Sequence, residues 1–284
     1  MIVVADSGGE RARFDLPGNL DPEAFSASGA DLYVLDYLPP TKPDRYRVRV
    51  LNLKSGKLQP LATKAAVQVP VGAEETMRGE GRQSVYDADR KILFTLYTHQ
   101  PDHQHTRDLL AGGARSGTPH IHAFVHSLHV GEGWAFCIDL PSPFGEGPAT
   151  GHGIALRTDG HRLYVLDAGT GTLAHIDPGT QEIGRVTTFA KPGLPGEASV
   201  VPTRDGGLVV GVGTTVVPVD PAAAAPKQPM AATAVPVRGV ALTAERLYVG
   251  QPDTVVTYDP TTGEAQNRLS VPGLVAVRHA TAAT

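Results

Sequence analysis

The two ends of this 284-residue chain, read in succession, reproduce a unit that lies whole in its middle. The middle stretch is GIALRTDGHRLYVLDAGTGTLAHIDPG at 153–179. The last eleven residues, LVAVRHATAAT (274–284), followed by MIVVADSGGERARFDLPG (1–18), carry the same pattern. Ile2 falls on Leu163, Asp6 on Asp167 and Gly18 on Gly179, all at one offset of 161 residues. A repeat completed only by joining the termini predicts a closed array, because closure removes the long sheet edges to which other chains add.

The unit has an apolar strand (Ile154, Leu156), a Thr158-Asp159-Gly160 turn, and a second strand LYVLD at 163–167. A glycine-rich turn follows, then LAHID (173–177), Pro-Gly, and a fourth run EIGRVTTF (182–189). Apolar residues alternate within these runs, as half-buried strands require. The pattern returns at RLYVG (246–250) with TVVTYDP (254–260), and at GLVVGVGTTVVPVDP (207–221). Upstream copies run through ADLYVLD (30–36) and YRVRVLNLKSGKLQPL (46–61). Another begins at RKILFTLY (90–97), is interrupted, and finishes at HAFVHSLHV (122–130) and GWAFCIDLP (133–141). Leu163 and Leu247 are 84 residues apart, two steps of about 42, the usual size of a four-stranded propeller blade.

The expected fold is therefore all-β: a six-bladed β-propeller in a single domain, 1–284, with a histidine-rich insertion at about 98–121. Innermost strands are expected near 23–28, 83–87, 153–157, 198–202, 238–242 and 274–278, the last closing the ring by pairing with strands in 2–16. A seventh blade over 62–80 is the alternative, but that stretch has no clear strand pair. The stretch 153–186 resembles the YVTN-type propeller repeats of bacterial proteins in Asp159-Gly160, Leu163-Tyr164-Val165 and Ile176-Asp177. Asp259-Pro260 and Thr262-Gly263 match again over 238–270. The resemblance implies the fold and little function, since such rings host binding proteins and enzymes alike.

Composition narrows the function classes. Glycine and proline, 32 and 24 residues, are spread between short apolar runs, as many tight turns demand. A net charge of −4 argues against nucleic acid, which needs a basic face. No run reaches the roughly 18 apolar residues of a membrane span, and no signal pattern opens the chain. Cytoplasmic residence is the default expectation, with export the alternative if a signal has been removed. The lone Cys137, in WAFCIDL, reads as a core thiol.

Two constellations remain. Seven of the eleven histidines fall between 99 and 129. No cofactor is expected; the alternative is a divalent transition metal held by His103, His105, His120 and His122. A structural reading places His120, His122 and His126 on one strand face with Phe124 and Leu128. The second constellation lies just before the innermost strands, at one mouth of the central channel: Glu23, Arg82, Gln83, His152, Glu197 and Arg238. Arginines there suit a carboxylate or phosphate. The expected function is a non-catalytic binding module for a small polar ligand or a peptide or protein partner at that mouth. One alternative is a lyase or hydrolase with His152 as general base and Glu197 as its partner. Another is a scaffold that binds a protein through its rim or histidine loop. Asp6-Ser7-Gly8 and Asp87-Ala88-Asp89 read as turns, not as a protease motif or a calcium site.

Overall fold

The computed structural model describes residues 1–63, 74–78, 80–99, 122–189, 196–223 and 225–280. It is all-β, built of antiparallel sheets. One turn of 3-10 helix, Ala149–Gly151, is the only helical element among the described residues. The chain divides into two compact units, residues 1–82 with 86–139 and residues 83–85 with 140–284.

In the first unit a hairpin, Ile2–Asp6 with Gly9–Phe14, is followed by a meander of Asn19–Phe25, Asp31–Leu38, Arg45–Asn52 and Leu58–Pro60. A second meander takes Glu80–Asp87, Ile92–Thr98, Ala123–His129 and Trp134–Asp139 in that order. Ala62–Thr63 adds to its outer edge in parallel. Strand Asp31–Leu38 shows why the repeat needs its apolar runs. Leu32 and Val34 pack with Ile2 and Leu51 on one face. Tyr33 and Leu35 pack with Tyr97, Phe124 and Leu128 on the other. Period-two alternation that is apolar on both faces is the mark of a sheet stacked between two others.

The second unit holds three meanders. The first is His152–Leu156, Leu163–Asp167, Thr172–Asp177 and Glu182–Thr188. The next is Ala198–Pro202, Leu208–Val212 and Thr215–Asp220, with Ala225–Pro226 and Ala231–Ala232 both pairing the last of these. The third is Val240–Leu242, Leu247–Gln251, Thr254–Tyr258 and Ala265–Ser270. Leu166 and Leu173 of the first face Val200, Val210 and Val217 of the second. Val209 and Val216 of the second face Val240, Val249 and Val256 of the third. Each such side chain contributes about 1.5–3 kcal/mol by leaving water.

In the second unit the leading strands of successive meanders lie side by side. Gln83 Nε2 donates to His152 O at 2.6 Å and to Ala198 O at 3.4 Å. Val240 N–H donates to Ser199 Oγ at 3.1 Å, and Val277 N–H donates to Arg238 O at 2.6 Å. Neighbouring sheets approach closely enough to demand glycine: a β-carbon on Gly211 would stand 2.6 Å from Val240 Cγ1, and one on Gly153 2.8 Å from Val200 Cγ1.

Five of the expected innermost strands are present, as Asn19–Phe25, Glu80–Asp87, His152–Leu156, Ala198–Pro202 and Val240–Leu242. The sixth is not. Residues 274–278 form no strand, and Ile2–Asp6 pairs only with Gly9–Phe14 among the described residues. The stretch 274–278 carries an alternating apolar pattern but makes one backbone bond, from Val277, to its neighbour. Most of the insertion at 98–121 lies outside the described residues.

Aspartates end strands throughout and fold the turn that follows. Asp167 Oδ1 accepts from Gly169 N–H and Thr170 N–H, Asp177 Oδ1 from Gly179 and Thr180, and Asp259 Oδ1 from Thr261 and Thr262. Asp87 Oδ1 does the same with Asp89 and Arg90, and Asp6 Oδ1 with Gly8. The Asp-Ser-Gly and Asp-Ala-Asp stretches are thus turns, as their places in the repeat predict.

Candidate functional site

The mouth residues fare differently from one another. Glu23 sits where the pairing of Asn19–Phe25 with Asp31–Leu38 slips between Pro22 and Ala24, a bulge that turns a side chain out of the regular alternation. Its side chain is half-buried. Arg82 belongs to strand Glu80–Asp87, and its side chain lies outside the described residues. Gln83 spends its amide on two backbone carbonyls of the neighbouring leading strands. Glu197 and Arg238 head two adjoining leading strands and meet at 3.2 Å, both substantially exposed. Such a pair contributes about 0–1 kcal/mol and is open to exchange its partner for a ligand.

His152 is enclosed, with no exposed surface. Gly145 N–H lies 3.0 Å from Nε2, Pro148 O lies 3.3 Å from Nδ1, and Asp167 Oδ2 stands 3.4 Å from Nε2. The two neighbours of Nε2 make opposite demands, a lone pair for Gly145 and a proton for Asp167. Burial raises the Asp167 pKa, but the adjacent imidazole and the N–H of Thr170 outweigh it and leave the carboxyl below its usual range. The ring is a strut under the loop 140–151.

Of the proposed metal ligands, His103, His105 and His120 lie outside the described residues; His122 is half-buried just before Ala123–His129. Among the described residues no group of three or more His, Cys, Asp and Glu side chains is placed to hold a metal. His126 is buried and meets the edge of Tyr97 at 6.5 Å, on the Phe124–Leu128 face. Burial and the Glu75 carboxylate push the Cys137 thiol far up, the state of an inert thiol.

A second polar region, which the sequence reading missed, opens between the first two meanders of the second unit. Tyr164, His175 and Arg185 stand directly across from one another on three neighbouring strands. Between Arg185 and Ile183 the register shifts by one, leaving Gly184 as the extra residue of a bulge. With no side chain there, Arg162 Nη1 lies 3.7 Å from where a β-carbon would sit. The facing wall is the Asp205–Gly207 turn, the Asp220–Ala222 turn and Lys227. Together they enclose a cleft of about 670 Å³.

Its electrostatics are cationic. Arg157 is paired with Asp159 at 2.9 Å. Arg162, Arg185 and Lys227 have no carboxylate within ion-pair distance among the described residues, and Arg185 donates only to Pro221 O at 3.3 Å. Asp205 accepts from Thr203 Oγ1 and Gly207 N–H, and Asp220 from Ala222 and Ala223 N–H. Both carboxylates therefore hold turns. His175 is almost wholly buried. Burial, then Arg185 and Arg162, lower its pKa to about 4. Its Nε2 faces Thr187 Oγ1 at 3.3 Å, and its ring stands edge-on to Tyr164 at 5.3 Å.

No protein-family model matches this sequence, and no curated protein is similar to it at a significant level. Among solved structures it is similar to the glutaminyl cyclase of Myxococcus xanthus, with a TM-score of 0.39 and 19% identity. That match covers 52% of this chain and 62% of the cyclase, so the chain spans less than two thirds of its neighbour.

Proposed function

We propose that this chain is a non-catalytic binding module built as a six-bladed β-propeller, closed by residues 274–278 running beside the strands of 2–16. A small polar ligand or the end of a peptide or protein partner binds at the mouth where Glu197 and Arg238 are open to solvent, while Gln83 and His152 brace the strands beneath it. The ring is supported by the leading strands of the second unit, which lie side by side while the later strands of each meander follow outward. Val277 continues that series beside Arg238.

One observation carries the binding reading. The imidazole that would serve a reaction is sealed, with both nitrogens facing backbone groups, while the Glu197–Arg238 pair beside it is open to solvent. A general base must reach its proton at hydrogen-bond distance, and an enclosed ring with occupied nitrogens does not. An exposed carboxylate–guanidinium pair suits a zwitterion or a chain terminus, which offers each group an opposite charge. Thermal shift against carboxylates, phosphates and short peptides tests this. Stabilisation by a zwitterionic or anionic compound, lost in Arg238→Ala and in Glu197→Ala, is the expected result. Hits that survive both Glu197→Ala and Arg238→Ala place the ligand elsewhere. Ring closure is tested by Val3→Cys with Val275→Cys in a Cys137→Ser background, where mild oxidation is expected to cross-link the termini. Failure to cross-link in the folded protein overturns the ring.

A further inference from the structure

We infer that the cleft between the sheets at 152–188 and 198–226 is a second binding site, which takes a small organic phosphate. The cations lining it have no structural reason to be together. Arg162, Arg185 and Lys227 lack carboxylate partners among the described residues, although Lys227 lies near enough to Asp205 to help lower its pKa. Like charges gathered in a concave, partly desolvated place repel one another, and an oxyanion relieves that repulsion.

The arrangement favours phosphate over a single carboxylate. Two guanidiniums that line the cleft, one from strand Glu182–Thr188 and one from the turn before Leu163–Asp167, offer forked donors to one multi-oxygen anion. The Gly184 bulge and the Gly206–Gly207 turn keep side-chain bulk out of the space between them. His175 lines the same cleft, held uncharged at neutral pH by burial and by the two arginines. It supplies a neutral hydrogen-bonding group and adds no further repulsion. The volume, about 670 Å³, lies in the range of small-molecule sites, roughly 300–1,000 Å³, and leaves room for a sugar-sized body beyond the phosphate. The site is separate from the Glu197–Arg238 mouth, so the two proposals stand or fall independently.

Isothermal titration with fructose 1,6-bisphosphate, inorganic phosphate and citrate tests the inference. Saturable single-site binding is expected, tightest for the bisphosphate and weakened by added salt. Affinity should fall at least tenfold in the Arg162→Ala/Arg185→Ala double variant, and Arg238→Ala should leave it unchanged. In the wild-type protein, phosphate should shift the imidazole proton resonances of His175, a readout that needs no variant to fold. Three outcomes overturn the site: no saturable binding by any probe at millimolar concentration, unchanged binding in a double variant that melts like wild type, or bound phosphate that leaves the His175 resonances in place. Citrate binding as tightly as the bisphosphate overturns the assignment to phosphate.

Discussion

The meanders at 152–188 and 240–270 share one plan down to an irregularity. In each, a tyrosine on the second strand faces a residue on the third and another on the fourth, and in each the pairing slips by one residue just beyond that row. In the later meander the row is Tyr248–Thr257–Asn267 and the extra residue is Gln266. In the earlier one the row is Tyr164–His175–Arg185 and the extra residue is Gly184. Backbone and bulge are common to both, so the bulge belongs to the repeat. The chemistry in the row, and the removal of a side chain at the bulge, belong to one copy alone. A shared irregularity is architecture, and the departure from it marks where this chain has acquired something of its own.

The largest effect that separates the two concerns packing. Leu173 is fully buried against the sheet at 198–226, whereas its counterpart Val255 is half-buried. Leu173→Ala should lose about 2–5 kcal/mol in urea unfolding, and Val255→Ala should lose less than half of that. Next is an exchange of chemistry. Giving the earlier row the later one's residues, His175→Thr with Arg185→Asn, should abolish bisphosphate binding in calorimetry while the protein still melts cooperatively. If binding survives, the row is not what distinguishes the copies. Gly184→Gln, which imports the later meander's side chain beneath Arg162, should weaken that binding several-fold with little change in melting temperature.

A pH experiment sharpens the contrast further. The His175 pKa is lowered to about 4 from an ordinary value of 6.5. The unfolded chain therefore binds more protons than the folded one between those values. The stability that depends on His175 staying neutral is complete above about pH 6.5 and is lost as pH falls toward about 4. His175→Thr should flatten that part of the melting-temperature profile. Arg185→Ala should raise the His175 pKa in an NMR titration, leaving it below the ordinary value because burial remains. The smallest effect is expected at the exposed mouth pair, where Glu197→Ala should change stability by about 0–1 kcal/mol, less at high salt.

These contrasts also show how much was legible in the sequence. Five leading strands lay where alternating runs and a repeat of about 42 residues put them, because a strand buried on both faces announces itself in consecutive residues such as Leu32, Tyr33, Val34 and Leu35. The turns were legible for a like reason: an aspartate folds them through its own side chain, as Asp177 and Asp259 do. Residues 274–278 show the limit of pattern, since Leu274, Val275 and Val277 look like a strand yet need a partner to become one. His152 was placed correctly at the head of its strand, but the loop that encloses it leaves no trace in the spacing. The cleft was hidden altogether. Its residues come from separate strands and turns of two meanders, and Arg185 meets His175 only because the extra residue Gly184 moves it into line.

Two glycines where neighbouring sheets meet have a wider consequence. Where Gly153 and Gly211 pass their neighbours, even one added carbon has nowhere to go. Any change there disturbs two sheets together, so these contacts are closed to novelty. New capabilities have to be acquired away from them, one meander at a time, without renegotiating how the sheets meet.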